Sequence, residues 1–157
     1  MKNLWCFFLL LVFTSVASAQ PLELSGIVAC QTRGWAVLRN QTELNRFVER
    51  IPKWRMQKMQ PAPLNPDPIL QNPEVDFEDH VLLVVWSDNI HIIPRILKCE
   101  RAGRDLQVEI AFQTPVDYRN YQAPYSHGRY LLLELDRFDG DMTLVPKETV
   151  IERQPLP

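Results

Sequence analysis

Val81–Trp86 (VLLVVW) is an uninterrupted apolar run, and the interpretation of the whole chain depends on it. A short run rich in valine and leucine is typical of a strand buried in a core. Polar residues flank the run, with Asp76, Glu78 and Asp79 before it and Ser87-Asp88-Asn89 after it. We therefore predict a buried strand over 81–86 and a turn over 87–89.

Two more strands are predicted after this turn. Residues Ile90 to Leu97 interleave apolar and polar side chains, and Leu106 to Phe112 alternate with the period of a strand that has one buried face. Ala102-Gly103-Arg104 predicts the turn between them. We expect the three strands to pair in order as a meander, with Pro94 placing the middle strand at an edge or a bulge.

The carboxy-terminal part also has β character. A strand is predicted over Tyr130 to Leu135, and a turn at Phe138–Asp141 leads into Met142 to Val145. Asp-Gly within this turn is a hairpin signal, so we expect these two strands to pair. The tail from Lys147 to Pro157 is polar and is expected to be frayed.

The amino-terminal part combines two short strands with a helix. The strands are predicted at Leu22–Val28 and Trp35–Leu38. Asn40 and Glu43 form a variant capping box for a helix, after which a proline-rich loop spans 61–73. One helical face carries the apolar residues Leu44, Phe47, Val48 and Ile51. The predicted fold class is α+β: a single antiparallel β-sheet-rich domain of about five to seven strands with one amphipathic helix packed on it.

The first 19 residues read as a secretion signal. Lys2 precedes the apolar run Leu4–Phe13, and Ala17-Ser18-Ala19 offers a cleavage site, so the mature chain is expected to begin at Gln20. Removing 19 of 157 residues leaves 138, the size of one domain covering 20–157, with its core at about 35–146. The expected location is periplasmic or secreted.

Charge and cysteine content narrow the possible partners. Without Lys2, the chain has 16 basic and 19 acidic residues. This balance gives no electrostatic reason to expect a nucleic-acid partner. The apolar run is shorter than the roughly 20 residues that cross a bilayer, so no stable membrane insertion is expected. Cys30 and Cys99 remain after cleavage in an oxidising compartment, which favours a disulfide between them over two buried free thiols.

No catalytic or metal motif stands out. His80, His91 and His127 lack the spacing of metal ligands, and no cofactor is expected. We interpret the acidic cluster before Val81 as solvent-exposed residues at the start of a strand. Ser126-His127 lacks the motif of a hydrolase nucleophile. The sequence therefore predicts a protein that is not an enzyme.

An aromatic and basic segment is the candidate contact site. Tyrosine and arginine are frequent at binding hot spots, because each combines contact area with a polar tip. Two interpretations stay open: a partner-binding loop, or tyrosine rings that cap the core. The candidate partner-binding residues are Tyr118, Arg119, Tyr121, Tyr125 and Arg129.

The order of the parts resembles the carboxy-terminal domain of the PrcB family of bacterial exported proteins, named for an accessory subunit of a protease complex. The resemblance covers about Trp35 to Leu135, and its most specific element is Val75-Asp76-Phe77 followed by Val81. The chain departs from the family at Ser87–His91, where a Gly-Gly-Tyr-like turn is usual. The resemblance implies an α+β fold and a non-catalytic role.

The expected function is an exported protein-binding module that stabilises or regulates another exported protein, such as a protease. The alternative is a small exported hydrolase or ligand-binding protein whose site forms only in three dimensions. A deep apolar pocket with convergent polar groups would favour that alternative.

Overall fold

The computed structural model describes residues 22–54, 63–71, 73–115 and 126–151, which contain seven β-strands, one α-helix and one short 3-10 helix. In chain order the elements are β1 (Glu23–Ala29), β2 (Gly34–Leu38), α1 (Gln41–Val48), the 3-10 helix (Pro68–Gln71), β3 (His80–Trp86), β4 (Ile93–Ala102), β5 (Asp105–Pro115), β6 (His127–Asp136) and β7 (Met142–Ile151). The predicted α+β class with one helix is confirmed.

The strands form two sheets. The first sheet has the order β1-β6-β3-β2 and is antiparallel throughout. The second sheet has the order β4-β5-β7, in which β4 and β5 are antiparallel whereas β5 and β7 are parallel. Helix α1 covers one face of the first sheet and the second sheet covers the other, so the fold has three layers.

The predicted buried strand is confirmed as β3, and the structure shows that it is buried on both faces. Its side chains alternate between two cores, because successive residues of a strand point to opposite faces. Leu82 and Val84 join the core under the helix, with Val28, Leu38, Leu44, Phe47, Ile51, Ile69, Tyr130 and Leu132. Val81, Leu83 and Val85 join the core between the sheets, with Ile92, Leu106, Val108, Ile110, Phe112 and Phe138.

The expected three-strand meander is wrong at its first pairing. Strand β3 pairs with β2 and β6, while β4 pairs with β5 in the other sheet. The cause is the two-sided burial of β3, which requires β3 to lie in the middle layer. The second pairing is confirmed: Gly103, with φ +66°, forms the β4–β5 turn in a conformation that glycine adopts without steric cost. Pro94 lies in an edge strand, as predicted.

The hairpin expected at Asp139-Gly140 is also wrong. This turn carries the chain from β6 in the first sheet to β7 in the second, where β7 pairs with β5 in parallel. A parallel pair needs a crossover connection, and here β6 is part of that crossover. The tail expected to fray from Lys147 continues as β7 to Ile151, and Lys147 Nζ lies 2.8 Å from Glu109 Oε2.

The predicted capping of α1 is confirmed. The Asn40 side chain accepts a hydrogen bond from the Glu43 backbone N–H at 3.0 Å. The Glu43 carboxylate in return accepts hydrogen bonds from Arg39 N at 2.7 Å and Asn40 Nδ2 at 3.0 Å. The first of these bonds satisfies a backbone donor that the first helical turn leaves unpaired. On the buried face of the helix, the Phe47 ring meets the Tyr130 ring edge-on at 5.4 Å.

A buried hydrogen-bonded pair, Tyr130 of β6 and Asp67, attaches the proline-rich loop to the first sheet. The Tyr130 hydroxyl donates a 2.6 Å hydrogen bond to Asp67 Oδ1, which also accepts from Ile69 N at 3.1 Å. Gly26 of β1 has no side chain at the place where the Asp67 carboxylate lies. Burial, together with the hydrogen bond to Asp67, raises the pKa of Tyr130 well above its ordinary value. The hydroxyl therefore remains a donor throughout the physiological range.

Replacing Tyr130 with Phe should lower the free energy of unfolding by about 1–3 kcal/mol, because the buried carboxylate loses its side-chain donor. Urea denaturation measures the change. A double-mutant cycle with Asp67→Ala, which removes the acceptor, isolates the contact, and strictly additive effects of the two substitutions would contradict the assigned hydrogen bond.

Candidate functional site

The predicted partner-binding segment lies mostly outside the described residues. Tyr118, Arg119, Tyr121 and Tyr125 belong to the range 116–125, so their role stays a prediction. Arg129 is described, and its side chain serves an internal contact: Nε donates a 2.7 Å hydrogen bond to the carbonyl of Ile90.

Arg129 and Ser87 together hold the turn between β3 and β4. Arg129 N donates to Ser87 Oγ at 2.9 Å, and Ser87 N donates to Arg129 O at 2.8 Å. The buried Ser87 hydroxyl also lies 2.9 Å from Asn89 O and 2.8 Å from Ile92 O. A buried hydroxyl with this many partners stabilises the turn. The Arg129 side chain is exposed, so its partner-binding role stays a prediction.

The expected disulfide is absent, because Cys30 and Cys99 are both free thiols. Cys30 follows β1 of the first sheet and donates through Sγ to the carbonyl of Ser87 at 3.0 Å. Cys99 lies in β4 of the second sheet, opposite Val108. The two residues therefore belong to different layers. Burial raises the pKa of each thiol above the ordinary value of 9.0, with Arg50 opposing part of the effect at Cys30.

Other polar clusters are local structural contacts. Asp76 caps the turn before β3 by accepting from Glu78 N at 2.9 Å. Ser126 Oγ and His127 Nδ1 lie 2.8 Å apart at the start of β6. His80 Nδ1 lies 3.7 Å from Glu134 Oε1. Within the described ranges, no group of three histidine, cysteine or acidic residues could hold a metal ion.

A concavity, which we call the edge groove, opens between the two sheets. It has a volume of about 460 Å³ and lies beside β1, an edge strand of the first sheet, and β4, an edge strand of the second. Charged Glu23 and Arg95 stand beside apolar side chains in its lining. The residues of the edge groove are Glu23, Ser25, Ile93, Pro94, Arg95, Ile96, Leu131 and Leu133.

The register of the first sheet explains the composition of the edge groove. Glu23 is opposite Leu133 and Ser25 is opposite Leu131, so these four side chains share the face that looks toward the second sheet. The second sheet does not cover this end of the face, because β4 is its last strand. Apolar β6 side chains thus form the floor, and polar β1 side chains form one rim.

A second, smaller depression of about 260 Å³ lies between α1 and β2. The Arg50 guanidinium carbon lies 4.5 Å from the centroid of the Trp86 ring and 5.6 Å from that of Phe47. Its cationic group is therefore already paired with aromatic faces. The edge groove, which exposes both apolar and charged side chains, is the stronger candidate site.

Comparisons with known proteins assign no relative: no family model matches the chain, and neither a curated protein nor a solved structure matches it. Among the residues that the structure describes, no helix has the length and apolar character needed to cross a membrane.

The free thiols predict a specific labelling pattern. Alkylation of the protein in urea without a reductant should label both Cys30 and Cys99, as measured by intact mass. In the native protein Cys99 should react first, because Cys30 is partly buried and hydrogen-bonded. Both native rates should rise as the pH increases toward 9, since the raised pKa leaves little thiolate at neutral pH. Labelling only after reduction would instead establish the disulfide.

Proposed function

We propose that this chain is an exported, non-enzymatic module that binds another exported protein at the edge groove. The resemblance to the PrcB carboxy-terminal domain favours a partner such as a protease that the module stabilises or regulates. The signal-like residues 1–19 support export.

The observation that carries this proposal is the open end of the space between the sheets. Leu131 and Leu133 form an apolar floor, while Glu23 and Arg95 place opposite charges in the lining. Interfaces typically combine an apolar centre with a polar rim, and the edge groove has this composition on a small scale. A partner segment would cover the apolar floor and meet charged groups of both signs.

The alternative of a small-molecule site has less support. Ligand sites usually enclose most of their ligand within a largely apolar cavity. The edge groove is bordered by exposed strand residues, including Glu23, Ser25 and Arg95. Such a groove suits an elongated segment that enters from solvent and leaves again.

The proposal predicts that a bulky side chain in the groove will prevent partner capture. The exported protein is immobilised and incubated with envelope extract at moderate salt, and retained proteins are quantified. Wild-type protein should retain a partner in stoichiometric amount. Ser25→Trp should retain at least about tenfold less, because the indole would occupy the space above Leu131.

Asn45→Trp is the matched control, since it adds the same ring at an exposed position of α1 away from the edge groove. Equal melting temperatures establish that both variants remain folded. The proposal fails if wild-type protein retains no stoichiometric partner, or if Ser25→Trp retains as much as Asn45→Trp.

A further inference from the structure

The backbone of β1 has a free edge whose polar groups can be assigned from the pairing with β6. Leu22 O accepts a hydrogen bond from Glu134 N at 2.9 Å, and Cys30 N donates to Ser126 O at 3.0 Å. The register between these two points is uninterrupted. In an antiparallel pair, alternate residues direct their N–H and C=O groups toward the partner strand. The even-numbered residues of β1 therefore face β6.

The odd-numbered residues of β1 direct their backbone groups away from β6. Ala29 provides an independent check, because its N–H donates to Arg50 O at 2.8 Å and its carbonyl accepts from Arg50 Nε at 3.4 Å. The chain after α1 thus covers the edge at Ala29. No strand pairs with the outer edge at Glu23, Ser25 or Ile27 within the described part of the chain.

The free edge and the edge groove coincide. Glu23 and Ser25 direct their backbone groups outward and also line the groove with their side chains. A strand added at this edge would continue the first sheet, so every second side chain would point toward the space occupied by the groove. Main-chain hydrogen bonds would supply affinity, and the groove would select the alternate side chains.

We propose that the partner contributes an extended segment that pairs with Glu23–Ile27 as a fifth strand of the first sheet. This inference rests on the proposed protein-binding function. The preferred segment carries apolar residues at alternate positions, which cover Leu131 and Leu133. A basic residue near Glu23 and an acidic residue near Arg95 complement the charges of the groove.

Other edges are less suited to this pairing. Strand β4 contains Pro94, which has no N–H, and a register shift between Ile96 and Lys98 interrupts its ladder. Strand β7 contains Pro146. Prolines and bulges at edges prevent pairing with another chain. Strand β1 has neither, and unlike β2, the other edge strand of the first sheet, it lines the edge groove, so its free edge is the receptive one.

The test uses a displayed library of random peptides of about 12 residues, long enough for a typical strand with flanking residues. Peptides enriched on the exported protein are synthesised with a fluorophore, and their affinities are measured by anisotropy. We compare Ser25→Pro with Ser25→Ala, because both remove the hydroxyl but only proline removes the outward N–H. Proline should weaken binding by at least about tenfold relative to alanine.

Hydrogen exchange on the wild-type protein gives a second measurement that does not depend on the folding of Ser25→Pro. The amides of Glu23, Ser25 and Ile27 should exchange quickly in the free protein, whereas those of Leu24 and Gly26 are protected by β6. Added peptide should slow exchange at Ser25 and Ile27. Unchanged exchange at saturating peptide would overturn the inference.

The remaining outcomes separate this inference from the proposed function. Equal affinity of folded Ser25→Pro and Ser25→Ala overturns strand addition. Capture of an envelope partner without enrichment of any peptide also overturns it, while the proposed function stands. If neither a partner nor a peptide binds, both proposals fail. Self-association that Ser25→Pro abolishes would identify a second copy of the chain as the occupant and overturn the assignment of a different protein.

Discussion

The fold depends on one constraint, the burial of β3 on both faces. Leu82 and Val84 are fully buried under the helix layer, while Val81, Leu83 and Val85 are fully buried against the second sheet. Burying each such side chain contributes roughly 1.5–3 kcal/mol to stability. Exposing either face of β3 would therefore lower the free energy of unfolding substantially. A strand of this kind has to lie inside a layered structure. The helix on one side and the second sheet on the other follow from that requirement.

Local features of the chain could be predicted because neighbouring residues determine them. Asn40 and Glu43 form a cap within one helical turn, and Gly103 makes the β4–β5 turn because only a few residues separate the strands. Sheet membership is different. The Asp139-Gly140 turn fits a hairpin locally, but the cores place β6 and β7 in different sheets. The continuous apolar run at Val81–Val85 indicated a buried strand, but not that its neighbours would be β2 and β6, whose residues lie far from it in the chain.

The candidate site could not be predicted from the sequence, since its parts are far apart in the chain and chemically ordinary. Ser25 and Arg95 belong to different sheets and fit no motif. Arg129, a predicted partner-binding residue, also donates a hydrogen bond to the carbonyl of Ile90, a contact that no sequence motif indicates. The disulfide expectation failed for a similar reason: the redox compartment indicates whether thiols can oxidise, but only the packing of the layers determines whether Cys30 and Cys99 meet.

The arrangement of strand edges connects the fold to the proposed binding. An unpaired edge invites association with other chains, so proteins commonly interrupt their edges with proline, bulges or charge. The second sheet has Pro94 and a bulge at one edge and Pro146 at the other. Strand β1 lacks these devices between Glu23 and Ile27, although Arg50 covers the same edge at Ala29. The part of the β1 edge that no other described segment is seen to cover is therefore the part beside the edge groove. An unpaired edge next to an apolar floor is suited to pairing with an added strand.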